Sequence, residues 1–373
     1  MAWRHAAVAA ALLAGLSGQS LAADIYLEEE LRIPLPTADS HGLEALLVRP
    51  KESGRYSLAL ISHGSPRSPA GRTEMTPWAM LPQAIEFARR GWAAVVVLRR
   101  GYGGSGGGWA ETYGPCANPD YVAAGSAGAA DLNAAISFLG GRPDVDTSRM
   151  IAVGVSAGGF ATVALTADPP PGLVAAISFA GGRGSVRDGE VCHEEQLIEA
   201  FRRFGRRSRV PMLWVYAEND HFFGPKLARK LREGFTGGGA TVEFIGAAAI
   251  GSAGHKLFSA AGTSEWSGPV DAFLRHQGLA MRTTLLPPPL LPALAAPAIL
   301  SANGRKAFES YLTSPPHKAF ALAPDGHFGW QSGVRTTDAA KTEALQYCRQ
   351  VAPHCDLMFV DDAPVYKDNP RGN

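Results

Sequence analysis

The 373-residue chain is poor in charge: 18% of its residues are charged and the formal net charge is +1. That balance argues against nucleic acid as the main partner, because neutralising phosphates needs a basic footprint. No His or Cys pair stands at metal-ligand spacing within one neighbourhood, which argues against a metal centre. Beyond the first 22 residues no stretch reads as long and apolar enough to span a bilayer, since 285–300 is broken by Pro287, Pro288, Pro289, Pro292 and Pro297. No internal repeat is visible in the sequence, so no propeller-like domain is expected in it ahead of the rest.

Cysteine is also scarce, with four in the chain, and its meaning depends on the first residues. Arg4 and His5 give a basic start, 6–16 is a short apolar run, and Ser20-Leu21-Ala22 offers small residues for cleavage. We expect an export signal over 1–22, no lipid anchor, and a periplasmic or secreted mature protein. In an oxidising compartment four cysteines allow three pairings. Cys348 and Cys355 are close in sequence around a turn with Pro353. Cys116 and Cys192 lie in excursions after two strands, both at one sheet edge. The expected pairs are Cys116–Cys192, stapling a cap, and Cys348–Cys355.

What the chain has in abundance is apolar runs alternating with helical patterns. Strand-like runs at 43–48, 57–61, 92–98, 149–155, 173–179, 210–217 and 240–245 are interleaved with helix-like stretches near 77–90, 120–139, 157–167, 225–235 and 264–276. Near-continuous apolar strands alternating with helices imply an α/β architecture with a mostly parallel sheet covered on both faces. The stretch 24–34 reads as an added antiparallel edge strand. The cluster Arg202, Arg203, Arg206, Arg207 and Arg209 reads as the solvated face of a helix.

Between the strand at 149–155 and the following helix stands Gly154-Val155-Ser156-Ala157-Gly158-Gly159. A serine flanked by glycines in a strand-to-helix turn is the nucleophile elbow G-x-S-x-G, where sharp reversal lifts the hydroxyl above the sheet. Such a serine needs a base, an acid that orients the base, and N–H donors for a developing oxyanion. Ser62-His63-Gly64-Ser65-Pro66 follows a strand, so the Ser65 N–H joins that of Ala157 as a candidate donor. His63, preceding the turn, reads as a buried support. The run ending Glu218-Asn219-Asp220 offers two acids, Asp220 and its rival Glu218. His255, in Gly251-Ser252-Ala253-Gly254-His255, is the candidate base, ahead of His221 and His193.

Together with Arg99-Arg100-Gly101-Tyr102-Gly103-Gly104-Ser105-Gly106, these motifs make the segment 43–278 resemble a serine α/β-hydrolase of the dienelactone hydrolase and prolyl-oligopeptidase-like group. The resemblance implies the α/β-hydrolase fold, a Ser156-His255-Asp220 triad with Asp220 preferred over Glu218, no cofactor, and a small-molecule ester or peptide-like substrate. It implies that the Arg99 loop lines the substrate, with Arg100 and Tyr102 as lining candidates and Arg99 paired with a buried acid. Dienelactone hydrolases proper use a cysteine nucleophile, so Ser156 points to ester or peptide-like acyl transfer instead.

The expected organisation is a signal at 1–22, a catalytic domain at 23–283, a proline-rich linker at 284–304 and a small α+β module at 305–373. That module should hold a hairpin turning at Pro324-Asp325-Gly326-His327, a helix at 337–350 and a last strand at 355–360. Phe320, Phe328 and Trp330 read as its core. It resembles a small cysteine-containing module appended to exported bacterial proteins.

Overall fold

The computed structural model describes residues 25–365, so the expected export signal lies outside the described residues. Its first unit runs β1 (Tyr26–Ile33), β2 (Leu43–Pro50), β3 (Tyr56–Ser62), α1 (Pro69–Thr73), α2 (Leu81–Arg89), β4 (Ala93–Val97), α3 (Tyr121–Leu139), β5 (Val145–Val155), α4 (Ala157–Leu165) and β6 (Leu173–Phe179). A short hairpin, β7 (Ser185–Arg187) and β8 (Glu190–Val191), leads into α5 (Glu194–Arg207), β9 (Met212–Ala217), α6 (Pro225–Gly237), β10 (Val242–Ala247) and α7 (Thr263–His276).

The eight-stranded sheet has the order β1-β2-β4-β3-β5-β6-β9-β10. β2 pairs antiparallel with both β1 and β4, while the pairings from β4 through β10 are parallel. This order, with β3 and β4 exchanged and β2 reversed, is the α/β-hydrolase fold. Alternate residues feed two cores: Ala93, Val95 and Val97 face one, and Ala94 and Val96 face the other. Burial on both faces is why these strands read as continuous apolar runs.

One expectation fails here. α3 is long and apolar enough to cross a membrane by length and composition, against the reading that no such segment follows the signal. About half of the helix is buried, and Leu132, Ala135, Ile136 and Leu139 join the core shared with α4 and α5. The arginines of α5 behave as read, pairing at the surface: Arg203 with Glu199 at 3.3 Å and Arg207 with Asp168 at 3.3 Å.

The C-terminal unit comprises α8 (Ala302–Leu312), β11 (Ala319–Leu322), β12 (Phe328–Gln331), α9 (Thr337–Arg349), β13 (Asp356–Val360) and β14 (Ala363–Pro364). Its antiparallel sheet has the order β12-β11-β13-β14. Phe320 is fully buried among Phe308, Tyr311 and Phe359, with Phe328 and Trp330 packed against them, so the aromatics form a core. α8 begins inside the stretch read as linker, because Ser301, four residues after Pro297, caps it by accepting from the Gly304 N–H. The proline-rich stretch is itself fastened: Leu286 donates to the Arg89 carbonyl at 3.0 Å, and Arg89 Nε returns a bond to the Leu286 carbonyl at 2.9 Å.

Disulfides join Cys116 to Cys192 across 76 residues and Cys348 to Cys355 across 7. On the chain-entropy account the first stabilises by about 4 kcal/mol and the second by about 2.5 kcal/mol. Urea unfolding of the two double Cys→Ser variants should show the larger loss for Cys116→Ser/Cys192→Ser. Equal or reversed losses would mean that native packing, not loop closure, sets their worth.

Candidate functional site

β5 ends at the turn that carries Ser156, and the backbone there is strained: Ser156 has φ 57 and ψ −122. Non-glycine residues adopt positive φ at a cost, and the surroundings must hold them there. The Ser156 N–H donates to the Phe179 carbonyl at 2.9 Å, and its carbonyl accepts from Phe160 at 3.0 Å and Gly182 at 3.1 Å. The glycines are sterically required. A Cβ on Gly154 would lie 2.2 Å from the Gly158 carbonyl oxygen, and one on Gly158 would lie 2.2 Å from the Ser62 carbonyl oxygen.

Ala157 is the first residue of α4, so its N–H has no partner within the helix. The turn after β3 abuts the serine closely enough that a Cβ on Gly64 would stand 3.2 Å from the Ser156 Cβ. Ser65, Ser156 and Ala157 all line one cavity of about 220 Å³.

Asp220 ends the loop after β9 with its side chain fully buried, whereas Glu218 is exposed. His255 Nδ1 lies 3.1 and 3.0 Å from the two Asp220 carboxylate oxygens. Asp220 Oδ1 also accepts from the N–H groups of Phe222 at 2.7 Å and Phe223 at 3.0 Å. Burial works to raise this carboxyl, but the His255 bond and charge together with the two N–H donors hold it below the usual carboxylate range. The His255 ring stacks on Phe222 at 4.1 Å and leans on Phe223 at 5.7 Å. Both phenylalanines line the same cavity as Ser156. His221 and His193 are exposed.

Sequence reasoning missed Asn219. Its side chain donates to the carbonyls of Ile250 at 3.2 Å and Gly251 at 3.1 Å and accepts from the Ile250 N–H at 3.0 Å. It thereby ties the loop carrying His255 to the loop carrying Asp220. The residue was in view, between the two rival acids, but an amide on a loop gives no signal of its partners.

Beneath the cavity lies a buried cluster. Arg99 pairs with Glu111, and its guanidinium also donates to Ser62 Oγ at 2.7 Å and the His63 carbonyl at 2.9 Å. Arg183, on the loop after β6, donates to Glu111 Oε2 at 2.7 Å and to the Glu111 carbonyl at 2.6 Å. His63 accepts from the Arg99 N–H at Nε2, 3.1 Å, and its Nδ1 lies 2.6 Å from the Gly64 carbonyl oxygen. Burial, then the Arg99 charge, push the His63 ring well below its usual range, so it stands neutral as a support for the turn.

Arg100 and Tyr102 do not line the cavity, correcting the expectation. Arg100 turns away to Asp131, with Nε 2.6 Å from its carboxylate. Tyr102 is fully buried, its hydroxyl bonded to Ser65 Oγ at 2.9 Å and Glu111 at 3.0 Å while accepting from Trp109 Nε1 at 3.0 Å. The loop reverses at Gly101, Gly103, Gly107 and Gly108, all at positive φ, so strand alternation cannot be carried through it. The cations that do line the cavity are Arg67, Arg72 and Arg183. Arg72 stacks on Trp109 with 4.0 Å to the ring centroid. Among the described residues no His/Cys/Asp/Glu group is arranged to hold a metal ion.

Residues 39–202 match the family model of the X-Pro dipeptidyl-peptidase (S15 family). Comparison with curated proteins returns no match. Among solved structures, the chain is similar to an esterase of Thermogutta terrifontis, at 21% identity, 68% of this chain, 94% of that one and TM-score 0.47. It is similar to the acylaminoacyl peptidase of Pyrococcus horikoshii at 16% identity, covering 70% of this chain and 43% of that one, TM-score 0.48. A Klebsiella pneumoniae protein provisionally assigned as a dienelactone hydrolase aligns at 16% identity over 67% of this chain and 99% of that one, TM-score 0.45.

Burial works to raise the Glu111 carboxyl, but Arg99 and Arg183 outweigh it and hold it at about 2 against an ordinary 4.5. A carboxyl depressed in the folded state contributes stability that is present above pH 4.5 and is lost as pH falls towards 2. Glu111→Gln should therefore flatten the acid limb of stability against pH. It should also cost about 3 kcal/mol or more at pH 7, because two buried guanidiniums lose their carboxylate. Urea midpoints at pH 7 and pH 3 check both, and an unchanged acid limb would remove Glu111 as its source. By the strand order of its central sheet the chain has the α/β-hydrolase fold, and its residues 39–202 are similar to the S15 family of X-Pro dipeptidyl-peptidases.

Proposed function

We propose that the protein is an exported serine hydrolase that cleaves a carboxylic ester through an acyl-enzyme. The observation that carries the reading is the pairing of His255 with the buried Asp220, the imidazole stacked on Phe222 and tilted against Phe223, both of which wall the Ser156 cavity. In this reading Ser156 Oγ attacks the ester carbonyl carbon and His255 Nε2 takes the hydroxyl proton. The N–H groups of Ser65 and Ala157 then stabilise the oxyanion. Asp220 keeps the Nδ1 proton in place and offsets the imidazolium charge. His255 returns the proton to the departing alkoxide, and water, activated by the same ring, frees the acid and restores Ser156. The two disulfides support export to an oxidising compartment. No cofactor is needed for this chemistry.

A second reading, a serine peptidase or amidase on short peptides, is favoured by the S15 match over residues 39–202. Short-chain 4-nitrophenyl esters compared with aminoacyl 4-nitroanilides separate the two: ester turnover without amide turnover removes the peptidase reading.

For 4-nitrophenyl butyrate, Ser156→Ala should lower kcat/KM by about a thousandfold or more, and Asp220→Asn should lower kcat by about 10⁴ through the wrong imidazole tautomer. A fluorophosphonate should label the native protein at Ser156 and leave Ser156→Ala unlabelled. Equal rates in native and Ser156→Ala protein, with no label on either, would instead favour a binding protein built on the hydrolase fold.

A further inference from the structure

We propose that Arg72 binds a free carboxylate on the substrate, so that the preferred esters carry an acid near the scissile bond. The reaction is taken from the serine-hydrolase reading, and the substrate class from the charges of the cavity itself. Among the described residues the lining includes Arg67, Arg72 and Arg183 and no acidic side chain. Two of these cations already have partners. Arg183 is buried against Glu111. Arg67, at the exposed rim, donates to Ser185 Oγ at 2.8 Å and lies 3.6 Å from Asp188.

Arg72 differs from both. Among the described residues no carboxylate stands within ion-pair distance of its guanidinium. One face of that guanidinium is covered by Trp109. Stacking occupies the face and leaves the N–H edge free, which pre-organises a planar fork for a two-oxygen anion. The ground beneath is also positive: Arg99 and Arg183 share the single carboxylate of Glu111, and His63 is neutral. This leaves one positive charge in excess under the same wall, where water is scarce and screening weak.

A free ammonium, as at a peptide N-terminus, finds no acid in this lining and meets like charge. The fork suits carboxylate and phosphate alike. One free guanidinium edge offers the two parallel N–H donors that the two oxygens of a carboxylate use and leaves the third oxygen of a phosphate without a donor from it, so carboxylate is the assignment.

The test compares paired substrates that differ only in that charge. On the acyl side the pair is mono-4-nitrophenyl adipate and its methyl ester. On the leaving-group side it is 4-carboxyphenyl butyrate and its methyl ester. In at least one pair the acid should be favoured by about tenfold or more in kcat/KM, chiefly through KM, as for a charge-assisted bond. Arg72→Gln should bring that ratio close to one, and Arg72→Lys should retain part of it. Ratios near one in both pairs, or a preference that survives Arg72→Gln, would overturn the proposal.

Calorimetric binding of mono-4-nitrophenyl adipate, its methyl ester and 4-nitrophenyl phosphate to the Ser156→Ala protein gives a readout independent of turnover. Tighter binding of the carboxylate, lost in Ser156→Ala/Arg72→Gln, supports the subsite even if the native protein cleaves nothing. Tighter binding of the phosphate overturns the carboxylate assignment. Ester cleavage without any discrimination sinks the subsite and leaves the hydrolase reading standing.

Discussion

The buried cluster of Arg99, Glu111 and Arg183 is the interaction on which the arrangement above the sheet depends. One carboxylate joins two guanidiniums that arrive on different loops, Arg99 after β4 and Arg183 after β6. Removing two cations and an anion from water is expensive, and only close pairing with every remaining donor satisfied makes it tolerable. The spare donors are used locally. Arg99 bonds Ser62 and the His63 carbonyl, Arg183 bonds the Glu111 carbonyl, and Tyr102 links Glu111 to Ser65. The network thus grips the turn whose Ser65 and Gly64 face the elbow serine. A net charge left over from this two-to-one pairing is felt in the cavity above it.

The elbow meets the same turn from the other side. Ser156 stays at positive φ because its N–H and carbonyl are engaged by Phe179, Phe160 and Gly182, and because the glycines on either side admit the Ser62 and Gly158 carbonyls at distances that no side chain would allow. Strain at Ser156 and burial of charge at Glu111 are two costs met by one packed surface. The flap between them, carrying Gly182, Arg183 and Gly184, is fixed at its far end where Cys192 bonds both Cys116 and, through its N–H, the Gly184 carbonyl at 2.8 Å.

How far the sequence could be read follows from where periodicity survives. The strand at 173–179 has the same bounds in the structure as in the reading, since Gly172 at positive φ sets its start and a continuous apolar run fills it. The position of Ser156 in the turn after β5 was legible from its flanking glycines, and the contact of Asp220 with His255 from the placing of each on a loop after a strand. The orientation of Arg100 and Tyr102 was not legible, because four glycine reversals erase any alternation across 101–108. Glu111 and Arg183 form a contact between residues 72 apart in sequence, with no local pattern to announce it. The exchange of β3 and β4 in the sheet order is likewise a property of crossovers that single-strand patterns do not contain. α8 escaped notice because its cap, Ser301, lies only four residues after the last proline of a proline-rich stretch.

The wall that carries Arg72 shows why the C-terminal sheet matters to the cavity. α1 has five residues, too few to hold a helix without outside contacts. On one side the Arg72 carbonyl accepts from the Gly103 N–H at 2.8 Å, which ties the helix to the glycine loop beside Tyr102. On the other, Arg335 donates to the Met75 carbonyl at 3.1 Å and forks onto Glu44 at 2.6 and 3.1 Å, while Thr76 Oγ1 donates to the Gly333 carbonyl at 2.6 Å in a buried bond. Glu44 in turn accepts from the Gly104 N–H at 2.7 Å. The helix bearing the one cavity arginine with no acidic partner among the described residues is thus held between the glycine loop and the loop before α9. A short, intrinsically unstable segment can present a stacked guanidinium only if both neighbours stay in place, so the C-terminal unit is part of what shapes the cavity.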